Sequence, residues 1–197
     1  MAHYRGDIVA GSLLVSESRK IADLLIQGYA PDKIPDKTLE DNLLQKRSPV
    51  TAKRQARLIL NRLSGLDREF WYLIRDGSHD QAAQILLCFA LKHTRLLGDF
   101  IRLVIQPKIK TFQKEIAFQD WNDFFEQCLI LDPEIGKWSE ATRTKIRRVI
   151  FTVLVQAGIM DSAKSRRIQP FHLHREVREL LEKHDESYIL KCLEIFK

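Results

Sequence analysis

The sequence predicts an all-α fold, a globular multi-helix bundle with one or two helix-turn-helix motifs. Three observations lead there. Apolar residues recur at helical rather than alternating spacing along most of the chain. Proline, glycine and serine fall between these segments, where helices start and stop. Cations gather on the outer faces of particular helices, while a separate stretch carries the acids.

A chain of 197 residues with 45% hydrophobic and 29% charged residues can bury a real core. It divides into an N-terminal helical region (1–76), central buried helices (77–131) and a C-terminal helical region (132–197), read together as one compact unit. The longest apolar run, Ile85 to Leu91, is far short of the roughly 20 residues that span a bilayer. The opening MAHYRGDIVAGSLLVS reads as neither a signal peptide nor a membrane span. Cys88, Cys128 and Cys192 are widely separated in apolar surroundings, which fits reduced, buried thiols in a cytoplasmic protein. A net charge of +6 and a pI near 9.3 put polyanions, nucleic acid above all, first among partners. The bland alternative is a basic surface with no role.

Ser16 or Ser18 opens a first predicted helix that runs to about Tyr29, closed by Pro31 and Pro35. A second covers about Thr38 to Gln45. Arg47 to Val50 then breaks the pattern and Thr51 restarts it as a helix cap. A short helix, a proline-containing break and a longer basic helix is the layout of a helix-turn-helix. Further helices follow at about Asp67 to Arg75, from the Ser78/Gln81 capping box to Lys92, and from Thr94 to Gln106, stopped by Pro107. Lys92 to Lys114 is a second cationic region, with six basic residues against Asp99.

The sign reverses from Glu115 to Glu140, which holds seven acidic residues and one basic. A helix from about Asp120 to Leu131 lies there. Ser139 then caps a long helix, Glu140 to about Ala157, stopped by Gly158. The polar, basic segment 161–170 is either a wing-like loop or short hairpin, or an ordinary linker, with the linker preferred. Two last helices, about Arg175 to His184 and Glu186 to Phe196, bury Val177, Leu180 and Leu181, and Ile189, Leu190, Leu193 and Phe196.

The stretch Lys46 to Leu63 carries Lys46, Arg47, Lys53, Arg54, Arg57 and Arg62 and no acid. Wound at roughly 100° per residue, it places Ala52, Ala56, Ile59, Leu60 and Leu63 on one face and Arg54, Arg57 and Asn61 on the other. Cations in its first turns oppose the helix dipole, so they serve something other than helix strength. Arg54, Arg57 and Asn61 suit a major groove; Lys46, Arg47 and Lys53 suit phosphates. TAKRQARLILNRL also echoes TRTKIRRVIFTVL, matching Arg54 to Lys145 and Arg57 to Arg148. That echo marks Arg143, Lys145, Arg147 and Arg148 as a second DNA-binding face, flanked by Lys164, Arg166 and Arg167.

Nothing argues for catalysis, a metal or a cofactor. His172 and His174 have no third ligand at metal spacing, the serines sit at helix starts and turns, and no glycine loop cradles a phosphate.

Three segments, GSLLVSESRKIADLL, NLLQKRSPVTAKRQARLILNRL and AGIMDSAKSRRIQPFHLHREVRELL, resemble BrxA, a family of small components of bacterial bacteriophage exclusion (BREX) systems. The resemblance implies a cytoplasmic, all-helical protein with helix-turn-helix elements that binds double-stranded DNA. Methyltransferase and ATPase activities would belong to other chains. The expectation is thus a non-enzymatic DNA-binding protein that meets other BREX components. Its rivals are an assembly adaptor docking acidic proteins and an RNA-binding helical protein.

Overall fold

The computed structural model describes residues 4–6, 8 and 11–194. Its helices are α1 (Val15–Ile26), α2 (Ile34–Glu40), α3 (Pro49–Leu63), α4 (Arg68–Asp76), α5 (His79–His93), α6 (Arg95–Phe100), α7 (Gln106–Lys110), α8 (Phe118–Leu131), α9 (Glu140–Gln156), α10 (Arg175–Lys183) and α11 (Ser187–Leu193). Among the described residues there is no strand. The fold is all-α, as the apolar spacing predicts.

The core is organised around α5, buried at every position from Ala82 to Leu91. It packs against α1, α3, α4, α6, α10 and α11. The Ser78/Gln81 capping box forms as expected, each side chain taking the other's backbone N–H. A second, aromatic layer surrounds Phe100, with Phe124 at 5.1 Å, Trp121 at 5.3 Å and Phe151 at 6.0 Å between ring centroids. One hydrophobic cluster runs from Tyr4 to Leu193.

Several helix starts differ from the expected ones, and proline is the usual reason. Ser16 and Ser18 do not cap α1: Leu14 holds the cap position, and the buried Ser18 hydroxyl donates back to the Leu13 carbonyl. Pro35 lies in the first turn of α2, and Pro49 is the first residue of α3, capped by Ser48 rather than Thr51. Proline suits a first turn because its missing N–H would have no partner there. The α2–α3 connection is therefore residues 41–48, longer than the roughly 3–4-residue turn of a helix-turn-helix. Pro107 does not end its helix either. A π-turn at Ile101–Ile105 widens the coil, with Gln106 N–H donating to the Ile101 carbonyl, and α7 continues beyond it. Near the C-terminus, Leu180 and Leu190 are half-buried rather than buried, and Phe196 lies outside the described residues.

Five of the helix ends share one device. After α1, α2, α7, α9 and α10 the chain turns through a left-handed residue with paired backbone bonds, as in Gly28 N–H to Leu25 and Tyr29 N–H to Leu24. The left-handed residues are Gly28, Asn42, Phe112, Gly158 and Asp185. Glycine, asparagine and aspartate tolerate that conformation. Phenylalanine does not, at a cost of about 1–2 kcal/mol.

Segment 161–170 is not the plain linker preferred from sequence. Asp161 N–H donates to Arg167 O at 3.0 Å, and Gln169 N–H to Ile159 O at 2.9 Å, so the segment doubles back as a tight loop. Its far side pairs with 114–116 through Ile168 N–H to Lys114 O at 2.8 Å and Ile116 N–H to Arg166 O at 3.0 Å. The Asp161 carboxylate organises the turn, accepting from the Ser165 hydroxyl and from Ser162 and Arg167 N–H. Those bonds hold its pKa below the usual carboxylate value, the Ser165 hydroxyl foremost.

The N-terminal segment is a strap across the molecule. Tyr4 N–H donates to buried Asp132 at 2.8 Å and its hydroxyl to buried Asp99 at 2.9 Å. Gly6 lies beside Trp138 and Ile146, Gly11 beside Leu58, and Leu13 N–H donates to Gln156 at 2.9 Å. The strap thereby connects α9 to α3.

Candidate nucleic-acid interface

The α3 face develops as its periodicity requires. Ala52, Ala56, Ile59, Leu60 and Leu63 are buried, and Arg54, Arg57 and Asn61 are exposed. Arg54 and Arg57 form no ion pair among the described residues, and neither does exposed Arg47. Lys46 pairs with Glu17 at 2.6 Å and Lys53 with Asp36 at 2.9 Å.

Arg54, Arg57 and Asn61 line a pocket of about 460 Å³ that also receives Arg5 from the strap, Arg62 from α3 and His93 from the end of α5. Among the described residues no carboxylate lines it. Arg62 is only 2% exposed and donates to the Ser12 carbonyl at 2.6 Å, which ties the strap to α3. Spacing along the chain gives no hint of Arg5 or His93, because only the strap and the α5–α6 junction bring them there. A groove of about 690 Å³ between α4 and α10 is mainly acidic, with Glu69, Asp76, Glu176 and Glu179 around Tyr72, Leu73 and Leu180, and Lys183 paired with Glu69 at 2.7 Å.

The second basic face is divided. Arg143 donates to the Trp138 and Gly136 carbonyls at 3.0 and 2.8 Å and lies over Phe125, so its guanidinium holds the turn before α9. Lys145, Arg148 and Lys164 are exposed. Arg147 lies 4.1 Å from the centroid of Phe118, and Arg166 lies 5.5 Å from the same ring while donating to the Ile116 carbonyl at 2.8 Å. Arg147 is held below the usual guanidinium value, first by partial burial and then by the charges of Arg148 and Arg166. Arg167 pairs with Glu115 at 3.2 Å. Phe118, 46% exposed, thus spaces two like charges by cation–π attraction; at the head of an acidic helix it carries no signal in sequence.

The cationic region Lys92 to Lys114 is mostly neutralised. Lys92 meets Glu186, Arg95 and Arg102 meet Asp99, and Lys108 meets Asp120. Lys110 and Lys114 form no ion pair among the described residues. No His, Cys, Asp and Glu group among the described residues is placed to hold a metal ion. Among the described residues no helix is long and apolar enough to cross a membrane.

A family model described as BrxA matches residues 2–185. The BREX protein BrxA of Paramagnetospirillum magneticum is 36% identical over 192 residues, covering 98% of this chain and 96% of its own length. That of Escherichia coli is 30% identical over 189 residues, covering 96% and 89%. That of Bacillus cereus is 28% identical over 167 residues, covering 83% and 82%. A crystal structure of an uncharacterized protein from Magnetospirillum magneticum matches with a TM-score of 0.89 at 34% identity, covering 98% of this chain and 100% of that one. A helical fold, a match along almost the whole length and close relatives in three bacteria place this chain in the BrxA family of BREX phage-defence proteins.

Proposed function

We propose that this protein serves its BREX system by binding double-stranded DNA in the cytoplasm, without catalysing a reaction itself. The observation that carries the reading is the pocket on the outer face of α3 where Arg54 and Arg57, which form no ion pair among the described residues, meet Arg5 and Asn61. Arg54 and Arg57, exposed on one face with no carboxylate partner among the described residues, suit a polyanion. Arg54 and Arg57 reach the DNA with Asn61 beside them, and Arg47 adds a phosphate contact. Lys145, Arg147, Arg148, Lys164 and Arg166 form a second contact region. Lys46, Lys53 and Arg167 contribute less, since each has a carboxylate partner. Helix α3 acts as a helix-turn-helix reading element only in the loose sense, given its long connection to α2.

The test is a gel-shift series with duplexes of varied sequence at two salt concentrations. With about six phosphates neutralised, the log–log slope of affinity against salt is roughly −5. Arg54→Glu with Arg57→Glu weakens binding at least tenfold while the circular dichroism stays helical. Intact binding in that folded variant overturns the site. Capture of other BREX components that survives nuclease and depends on the same arginines would favour the adaptor reading instead.

A further inference from the structure

Phe112 combines an exposed ring with a left-handed backbone, and no contact within the fold accounts for the pair. It is 90% exposed, with φ of +57°, at the turn that closes α7. The turn is firmly built: Phe112 N–H donates to Ile109 O at 3.1 Å, Gln113 N–H to Lys108 O at 2.8 Å, and Lys108 Nζ to the Gln113 side chain at 3.0 Å. Four other helices close through the same bonds, and each uses glycine, asparagine or aspartate. A large apolar ring held in an unfavourable backbone region, burying almost nothing within its own chain, is the kind of outlier found at contacts with another molecule.

The surroundings identify which kind. Lys110 and Lys114 stand two positions either side of the ring, and of the carboxylates near this turn Asp120 is paired with Lys108 at 2.9 Å and Glu115 with Arg167 at 3.2 Å, while Asp123 lines a pocket with Thr111 and Gln113. Lys114 is joined by its backbone to Ile168, next to Arg166 and Arg167 and hence to the Arg147, Arg148 and Phe118 cluster. An aromatic ring on a rigid turn between free lysines fits a wedge that enters a base step while its neighbours grip the phosphates.

We propose that Phe112 inserts between base pairs of bound duplex DNA from the minor-groove side, unstacking one step and bending the duplex. The proposal rests on the duplex-binding reading above and adds a distortion that the α3 pocket alone does not produce.

The experiment compares the full-length wild type with Phe112→Ala, Phe112→Gly and Phe112→Trp. It measures duplex affinity against salt, permanganate reactivity of thymines in the bound duplex, and energy transfer between dyes on the two DNA ends. Wild type and the Trp variant expose thymines and shorten the end-to-end distance. The Ala and Gly variants do neither and bind roughly tenfold more weakly with an unchanged salt slope, since stacking but no cation is lost. The Gly variant also melts at a higher temperature than wild type, so its weaker binding cannot come from unfolding. If Ala and Gly variants match wild type in affinity and thymine exposure while wild-type binding falls with salt, the wedge is overturned and duplex binding stands. If wild type does not bind duplex DNA at all, both fall. Loss of retention on phosphatidylserine vesicles by Phe112→Ala, with DNA binding unchanged, would assign the ring to a lipid surface and overturn the wedge.

Discussion

Cys88, Cys128 and Cys192 are free and buried, and burial is the first cause that raises each thiol above its ordinary pKa. Cys128 is pushed up to about 11. A folded state that keeps its thiols protonated binds more protons than the unfolded chain, so its stability falls as pH rises. The contribution is complete below about pH 8.5, where an unfolded thiol is still protonated, and drains away towards pH 11. The melting temperature is therefore expected to decline between pH 9 and 11, with a shallower slope in Cys128→Ala, and native protein at pH 8 is expected to resist alkylation. Residue type and apolar context were enough to foresee these thiols. Arg143 was not foreseeable in the same way: helical spacing puts it among the cations of α9, but only the fold reveals that nearby carbonyls occupy its donors.

At the scale of the helix, Gly98 sets how closely α6 approaches α11. A Cβ there would stand 2.3 Å from the Tyr188 hydroxyl and 3.4 Å from Cys192 Sγ. Gly98→Ala gains helix propensity but is expected to lose about 1–3 kcal/mol to the clash. Adding Tyr188→Phe removes the colliding oxygen and should restore most of that in a urea titration; no rescue would mean that the backbone rather than the hydroxyl is the obstacle. Phe112→Gly, at the end of α7, should stabilise by about 1 kcal/mol, or roughly 2–4 °C in melting temperature. Helix positions were legible because an apolar stripe has a period. Helix starts at Pro35 and Pro49, and the passage through Pro107, were not, since proline both opens and stops helices and the π-turn that admits it has no local signature. The loop at 161–170 was half legible: its polarity was evident, but its partner strand-like segment at 114–116 is remote in sequence.

For the whole molecule the decisive feature is the strap, because it delivers Arg5 to a pocket built by α3 and α5. Asp132→Ala takes the acceptor from Tyr4 N–H and Glu134 N–H and is expected to cost about 1–3 kcal/mol. Duplex affinity should fall with it about as far as in Arg5→Ala. In the Arg54→Glu, Arg57→Glu background, the same change should leave the remaining affinity unaltered; a further drop there would show that the strap acts on DNA by a route other than this pocket. The charge segregation that marks α3 could be read from the chain, whereas the convergence of Arg5 and His93 on it is a property of tertiary structure alone.

The strap's bonds to Asp132 and Gln156 span 128 and 143 positions. On a ribosome, the strap must wait on the order of ten seconds after its own synthesis for the docking residues to be made. Docking of the strap thus follows the synthesis of α9, and the basic pocket, although built on earlier helices, is completed only after α9 has been released.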